Sequence, residues 1–198
     1  MKKLTYTGLI AASLFFTYAC ETKTSEQKGE TVGAAEEKND TTLTSDNTKE
    51  DADFLVKAAN GGLLEVEAGR IAEKQAVSKA VKDVAKQMVT DHGKANTELK
   101  AYAASKNIAL PDSIDKDTKD KLTKLTEKKG KDFDADYVDF MVSDHKEDIS
   151  LFEDASKDAK DPELKAWVDK TLPTLRHHLM MWQQTDSILD AKSSNKKM

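Results

Sequence analysis

The chain has 198 residues, one cysteine, 6% aromatic residues and a formal charge of −5, with 31 basic against 36 acidic side chains. No basic stripe runs through it, which argues against a nucleic-acid partner. A single cysteine excludes an intramolecular disulfide, and no Gly-x-Ser-x-Gly elbow or phosphate-binding glycine loop is present.

Residues 1–19 read as an export signal, with Lys2 and Lys3 ahead of an apolar stretch from Leu9 to Phe16 and small Ala19 before Cys20. Thr17-Tyr18-Ala19-Cys20 resembles a bacterial lipobox, although Thr17 and Tyr18 depart from its usual leucine and small residue. It makes Cys20 the candidate lipidation site; an ordinary cleaved signal ending near Ala19 is the alternative. Either reading places the protein in the bacterial cell envelope. With the lipid, it is an outer-membrane lipoprotein facing the periplasm or the cell surface, and the membrane is its partner. Residues 20–50 carry hardly an apolar side chain and are expected to form a disordered tether.

The folded domain is expected over 51–190. Phe54, Ala58, Gly61, Glu65, Ala68 and Ala72 share one stripe of a helix from about Ala52 to Gln75, which puts Glu65 inside an apolar face. Asn60-Gly61-Gly62 lies within that helix. Adjacent glycines weaken a helix, so the spacing predicts close approach of a neighbour or a local break there. Ser78 is placed to cap a second helix with the stripe Val81, Val84, Met88, Ala95 and Leu99, fading near Ser105. The stretch 106–131 reads as a long crossover with a weak helical turn around Leu122 and Leu125. A third helix carries Tyr137, Met141, Asp144, Asp148, Leu151 and Ala155, with His145 and Phe152 beside that line. Asp161-Pro162 is a cap with a first-turn proline, opening a fourth helix on Leu164, Val168, Thr171, Leu175, His178 and Trp182. Pro173 is expected to kink it, and 191–198 to be a disordered tail.

Two short-turn hairpins joined by a long crossover define an all-α, ferritin-like four-helix bundle. The hairpins also compare at one constant offset: Ser78 with Asp161, Val81 with Leu164, Val84 with Trp167 and Glu65 with Asp148. That register makes the two halves a pseudo-repeat. It also separates two matching strings, Met88-Val89-Thr90-Asp91-His92 and Met141-Val142-Ser143-Asp144-His145, because they fall on the second and third helices.

Counted from the hairpin turns, Glu65, Asp148, His92 and His145 fall within about 5 Å of one level at a rise of about 1.5 Å per residue. His178 counts nearly two turns higher than Glu65. Imidazole and carboxylate together suit zinc, iron, manganese or copper(II), so Glu65, His92, His145, Asp148 and His178 form the candidate metal set. The competing reading is a hydrogen-bonded clasp of the same residues with no metal, since buried charges need partners. A metal-dependent oxidoreductase would need an open coordination position. Glu67, Asp91 and Glu147 are expected at the surface or behind the ligands, His177 at the surface, and Met88 and Met141 as core filler.

Phe54 with Ala58, Glu65-Val66-x-x-Gly69-x-x-Ala72, Val81-Lys82-x-x-Ala85-x-x-Met88-Val89-x-Asp91-His92, Phe133-Asp134-x-x-Tyr137, Met141-Val142-x-Asp144-His145 and Leu172-Pro173-x-Leu175-x-x-His178 together resemble the domain-of-unknown-function family 4142. These are bacterial exported proteins, also termed predicted outer-membrane proteins, grouped with the ferritin-like superfamily. The resemblance covers roughly 52–189 and implies the four-helix fold and export, with no established activity. The chain lacks the Glu-x-x-His pairs that di-iron ferritins carry on helices two and four. This argues against a di-iron oxidase and leaves a mononuclear or degenerate site.

Overall fold

The computed structural model describes residues 31–194, so the expected export signal, Cys20 and the first part of the expected tether lie outside the described residues. Six helices follow one another: α1 Val32–Thr42, α2 Asp46–Gln75, α3 Lys79–Ser105, α4 Lys116–Glu127, α5 Gly130–Asp158 and α6 Pro162–Ser194. No strand occurs among the described residues, and none of their helices is long and apolar enough to cross a membrane.

The end contacts fix the topology. At one end, the Asp134 carboxylate at the start of α5 accepts the backbone N–H of Val77 at 3.0 Å and of Ser78 at 2.7 Å, in the α2–α3 turn. At the other, Asp51 in α2 accepts the N–H of Lys160 at 3.1 Å and of Asp161 at 3.0 Å, in the α5–α6 turn. Lys106, just past α3, pairs with Asp161 there at 2.7 Å. Helices α3 and α5 therefore begin at the same end and run parallel, as the ferritin-like connectivity requires.

The two caps are themselves related by the pseudo-repeat. Asp51 and Asp134, Val77 and Lys160, and Ser78 and Asp161 are each 83 residues apart, the same offset that relates Glu65 to Asp148. Each half thus caps the turn of the other. Ser78, expected to cap α3 with its own hydroxyl, makes no such bond; Asp134 satisfies the exposed N–H groups instead. Asp161 behaves as expected, accepting from Glu163 and Leu164 at 2.8 and 3.2 Å. Helix α3 stops in a Schellman arrangement, with Asn107 at φ 57° and the Ile108 N–H on the Ala103 carbonyl at 2.9 Å.

Three expectations are corrected. Residues 32–42 and 46–50 are helical rather than a disordered tether: α1 packs through buried Ala35 against Val56 and Ala109. Its Asn39 side chain exchanges two hydrogen bonds with the backbone of Ala109, at 3.0 and 2.8 Å. A single buried amide and one small alanine suffice to dock a helix whose composition is almost wholly polar. The crossover holds a full helix, α4, capped by Asp115 and burying Leu122 and Leu125. Helix α6 continues through Pro173 to Ser194, so of the expected tail only 195–198 lie outside the described residues.

The interior divides into two apolar clusters. One gathers Leu64, Ala72, Val81, Met88, Tyr137, Met141 and Trp182; the other gathers Phe54, Leu55, Ala58, Leu99, Phe152, Leu164, Val168 and Leu175. Along each of the four long helices, one polar side chain falls between them: Glu65, His92, His145 and His178. Glycine makes the α2–α3 approach close. A Cβ on Gly69 would lie 2.7 Å from Val89 Cγ2 and 3.0 Å from the Ala85 carbonyl, and one on Gly62 only 2.1 Å from Asn96 Oδ1.

A candidate metal centre at the bundle midplane

Glu65, His145, His178 and His92 are 0, 0, 1 and 5% exposed. Sandwiched between apolar clusters, they meet a medium that penalises charge. Burial drives the His92 and His178 imidazoles down to about 4 and that of His145 to about 3. It pushes the Glu65 carboxyl well above its ordinary range. Three neutral imidazoles therefore surround one carboxyl that resists ionising.

The hydrogen bonds assign the ring protons. His145 Nδ1 lies 2.9 Å from the Met141 carbonyl oxygen, which only accepts, so Nδ1 carries the proton and Nε2 is bare. His178 Nε2 lies 2.9 Å from Asp91 Oδ2 and donates to it, leaving Nδ1 bare. Burial alone would raise the Asp91 carboxyl, but hydrogen bonds from Gln87 and His178 outweigh it and keep the carboxylate ionised. His178 Nδ1 then accepts from His92 Nε2 at 3.1 Å, which leaves His92 Nδ1 bare.

Both bare nitrogens face Glu65. His92 Nδ1 is 2.5 Å from Oε2 and His145 Nε2 is 3.2 Å from Oε1. Neither approach has the direction of a hydrogen bond, and both carboxyl oxygens and His145 Nε2 are left unsatisfied. With Glu65 ionised, both would be close contacts of electron pairs. A protonated Glu65 supplies one proton for two nitrogens, so one contact stays without any. The site is short of one donor.

A cation meets that deficit. One ring nitrogen from each of His92, His145 and His178 lies within 4.8 Å of the others, as do donor atoms of Glu65, Asp144 and His145. Nitrogens bound to one zinc at about 2.0–2.1 Å would be about 3.3 Å apart, close to the 3.1 Å between His92 Nε2 and His178 Nδ1. With His92 in its other tautomer, Nδ1–H would face Glu65, His178 Nε2–H holds Asp91 and His145 Nδ1–H holds Met141. Each imidazole would then keep an outer acceptor, the arrangement that orients metal-bound histidines. The residues present fit a metal ion, and they equally form most of a clasp.

The expected set converges with two changes. Glu65, His92, His145 and His178 come together, whereas Asp148 belongs to neither convergent group; Asp144, one turn earlier on α5, takes that place. Asp148 lies beside them, its Oδ1 3.1 Å from where a Gly61 Cβ would be. Burial, then the charge of Glu65, holds both aspartates well above the ordinary range. His178 joins despite its apparent height, because the two hairpin turns lie at opposite ends of the bundle. Counted from the shared end marked by Asp51, Lys106 and Asp161, Glu65 and His92 are each 14 residues in and His178 is 17. Asp91, expected at the surface or behind the ligands, takes the second of these places as the outer anchor of His178. Its position one residue before His92 offered no sign of which histidine it holds, since the contact is made across to α6.

The sequence profile of a domain of unknown function, DUF4142, matches residues 34–185. This chain belongs to the DUF4142 family. The match begins inside α1, so the family domain includes the helix that composition alone assigned to a tether. No curated protein and no solved structure matches the chain.

Proposed function

We propose that this DUF4142 protein is an exported, lipid-anchored bundle that holds one late divalent transition-metal ion at its midplane, in a metal-handling or stress role in the bacterial envelope. His92, His145 and His178 are the nitrogen ligands, and Glu65 supplies the compensating negative charge. The observation that carries this reading is the missing donor around Glu65: a fully buried carboxyl faces bare nitrogens of neutral imidazoles, with one proton too few for the two contacts. A nitrogen-rich set favours copper(II) or zinc over manganese or iron. When bound, such an ion supplies Lewis acidity. Around it, Met141 and Asp91 fix two tautomers, and the apolar clusters exclude water.

Elemental analysis of the mature domain, purified without a histidine tag, tests this. The expected result is stoichiometric metal in the wild type, lost in His92→Ala and in His145→Ala. A wild type that carries no metal and takes up neither zinc, copper, iron nor manganese overturns it.

One observation favours a second reading. The chain Asp91–His178–His92 is hydrogen-bonded throughout without an ion, as a clasp fixing α3 against α6 would be. In that case His178→Ala lowers stability while the wild type remains metal-free.

A further inference from the structure

Two openings approach the buried cluster, one directly and the other only through Asp144, and they differ in size. On the α3–α6 side is a narrow cavity of about 30 Å³ that touches the cluster directly at Glu65, His92 and His178 and is also lined by Asp91, Trp167 and Thr174. This is room for about two waters. On the opposite side, α2, α4 and α5 enclose a recess of about 410 Å³. Its rim carries Lys57, Lys121 and Glu147, and Asp144 and Asp148 line it further in.

Three features make this recess a passage rather than a surface dent. Asp144 Oδ2 is buried without a partner, as are both Glu65 oxygens and His145 Nε2 behind it, so the unsatisfied atoms continue from the recess into the cluster. Asp144, Glu65 and His145 offer donor atoms within 4.8 Å of one another, close enough to pass an ion from one to the next. Gly61 keeps the wall of α2 bare, because a Cβ there would sit 3.1 Å from Asp148 Oδ1. Helix α4 forms the outer wall and is pinned to α2: Asn60 Nδ2 donates to Asp115 Oδ2 at 2.7 Å, and the Asp115 N–H donates to Asn60 Oδ1 at 3.0 Å.

Resting on the metal reading above, we propose that this recess is the port through which a divalent cation reaches the imidazoles, with Asp144 as the step between solvent and the Glu65–His145 pair. Glu147 at the rim draws the cation in, and Asp144, giving up its proton to solvent, replaces part of the ion's water shell before the nitrogens complete the site. The crossover helix, which adds Leu122 and Leu125 to one apolar cluster, thereby also acquires a role as the wall of the entrance.

Stopped-flow mixing of the metal-free protein with zinc, read with a chromophoric chelator, tests the port. Ser143→Trp, an exposed position on the recess rim, narrows the entrance. Uptake and chelator-driven release are expected to slow together by about tenfold, with Kd held within about twofold, since a gate alters rates and not the end states. Thr174→Trp, exposed beside the narrow cavity, is expected to change neither rate. Glu147→Lys gives an independent reading: uptake slows at low ionic strength and recovers in salt as the rim charge is screened. If Thr174→Trp slows exchange and Ser143→Trp does not, or if none of the three variants alters a rate, the port is overturned while the site stands. A wild type that takes up no zinc overturns the metal reading itself, and the port with it.

Discussion

Glu65 sits where a carboxyl is least at ease, and its neighbours do not relieve it. The bare nitrogens that His92 and His145 turn toward it are the reason a cation fits. Two outcomes follow at the level of single side chains. Asp91→Asn leaves the imidazoles in place but weakens the acceptor that orients His178, so zinc affinity should fall by about 10–100-fold, measured by competition with a chelator. In metal-free protein, NMR should show His92, His145 and His178 neutral from about pH 7 to pH 5, whereas in an unfolded chain they titrate near 6.5. Their folded values of about 3 to 4 lie below that, so the unfolded state binds the extra protons. Their contribution to stability is then complete above about pH 6.5 and lost as the pH falls toward 4. Ring signals that titrate near 6.5 in the folded protein would contradict the burial described. Much of this site was legible in the helical stripes, which placed Glu65, His92, His145 and His178 inward. Asp91 was legible only as a residue at the surface or behind the ligands, because its contact is made to another helix that periodicity within α3 cannot show.

Helix ends carry much of the specificity of the fold. Asp51 and Asp134 each accept two backbone N–H groups from the opposite hairpin's turn. Replacing either with alanine should cost about 1–2 kcal/mol, the range for a lost helix cap, in chemical denaturation. The sites lie at opposite ends of helices of 27 to 30 residues, about 40 Å at 1.5 Å per residue. The double variant should therefore be additive within about 0.5 kcal/mol. Asn39→Ala removes the paired bonds to Ala109 and leaves that backbone unsatisfied. Hydrogen exchange should then show α1 opening while α2 to α6 stay protected; loss of protection throughout would mean that α1 is integral to the core. The four long helices could be read from periodicity because each buries one continuous stripe. Helix α1 could not, because Ala35 and Asn39 are almost its entire buried face. For α4, the two leucines were visible but not the cap by Asp115 that lets a turn become a helix.

Across the whole molecule, a polar layer divides an apolar interior, and the division follows the pseudo-repeat only in part. Glu65 and Asp148 occupy equivalent positions, yet His92, His145 and His178 correspond to Leu175, Gly62 and Ala95 at the 83-residue offset. The scaffold is two-fold while the cluster is not, so the histidines are a specialisation laid over the bundle. An ion bound there ties α2, α3, α5 and α6 together. Zinc at about 100 times its Kd should stabilise the protein by about 2.7 kcal/mol, seen as a rise in Tm that His145→Ala abolishes. The most direct test of a midplane site is anomalous scattering from a crystal soaked in zinc, recorded at the metal edge. A single internal peak within bonding distance of ring nitrogens of His92, His145 and His178 is the predicted result. Peaks confined to surface carboxylates, with the buried imidazoles unmoved, would contradict it.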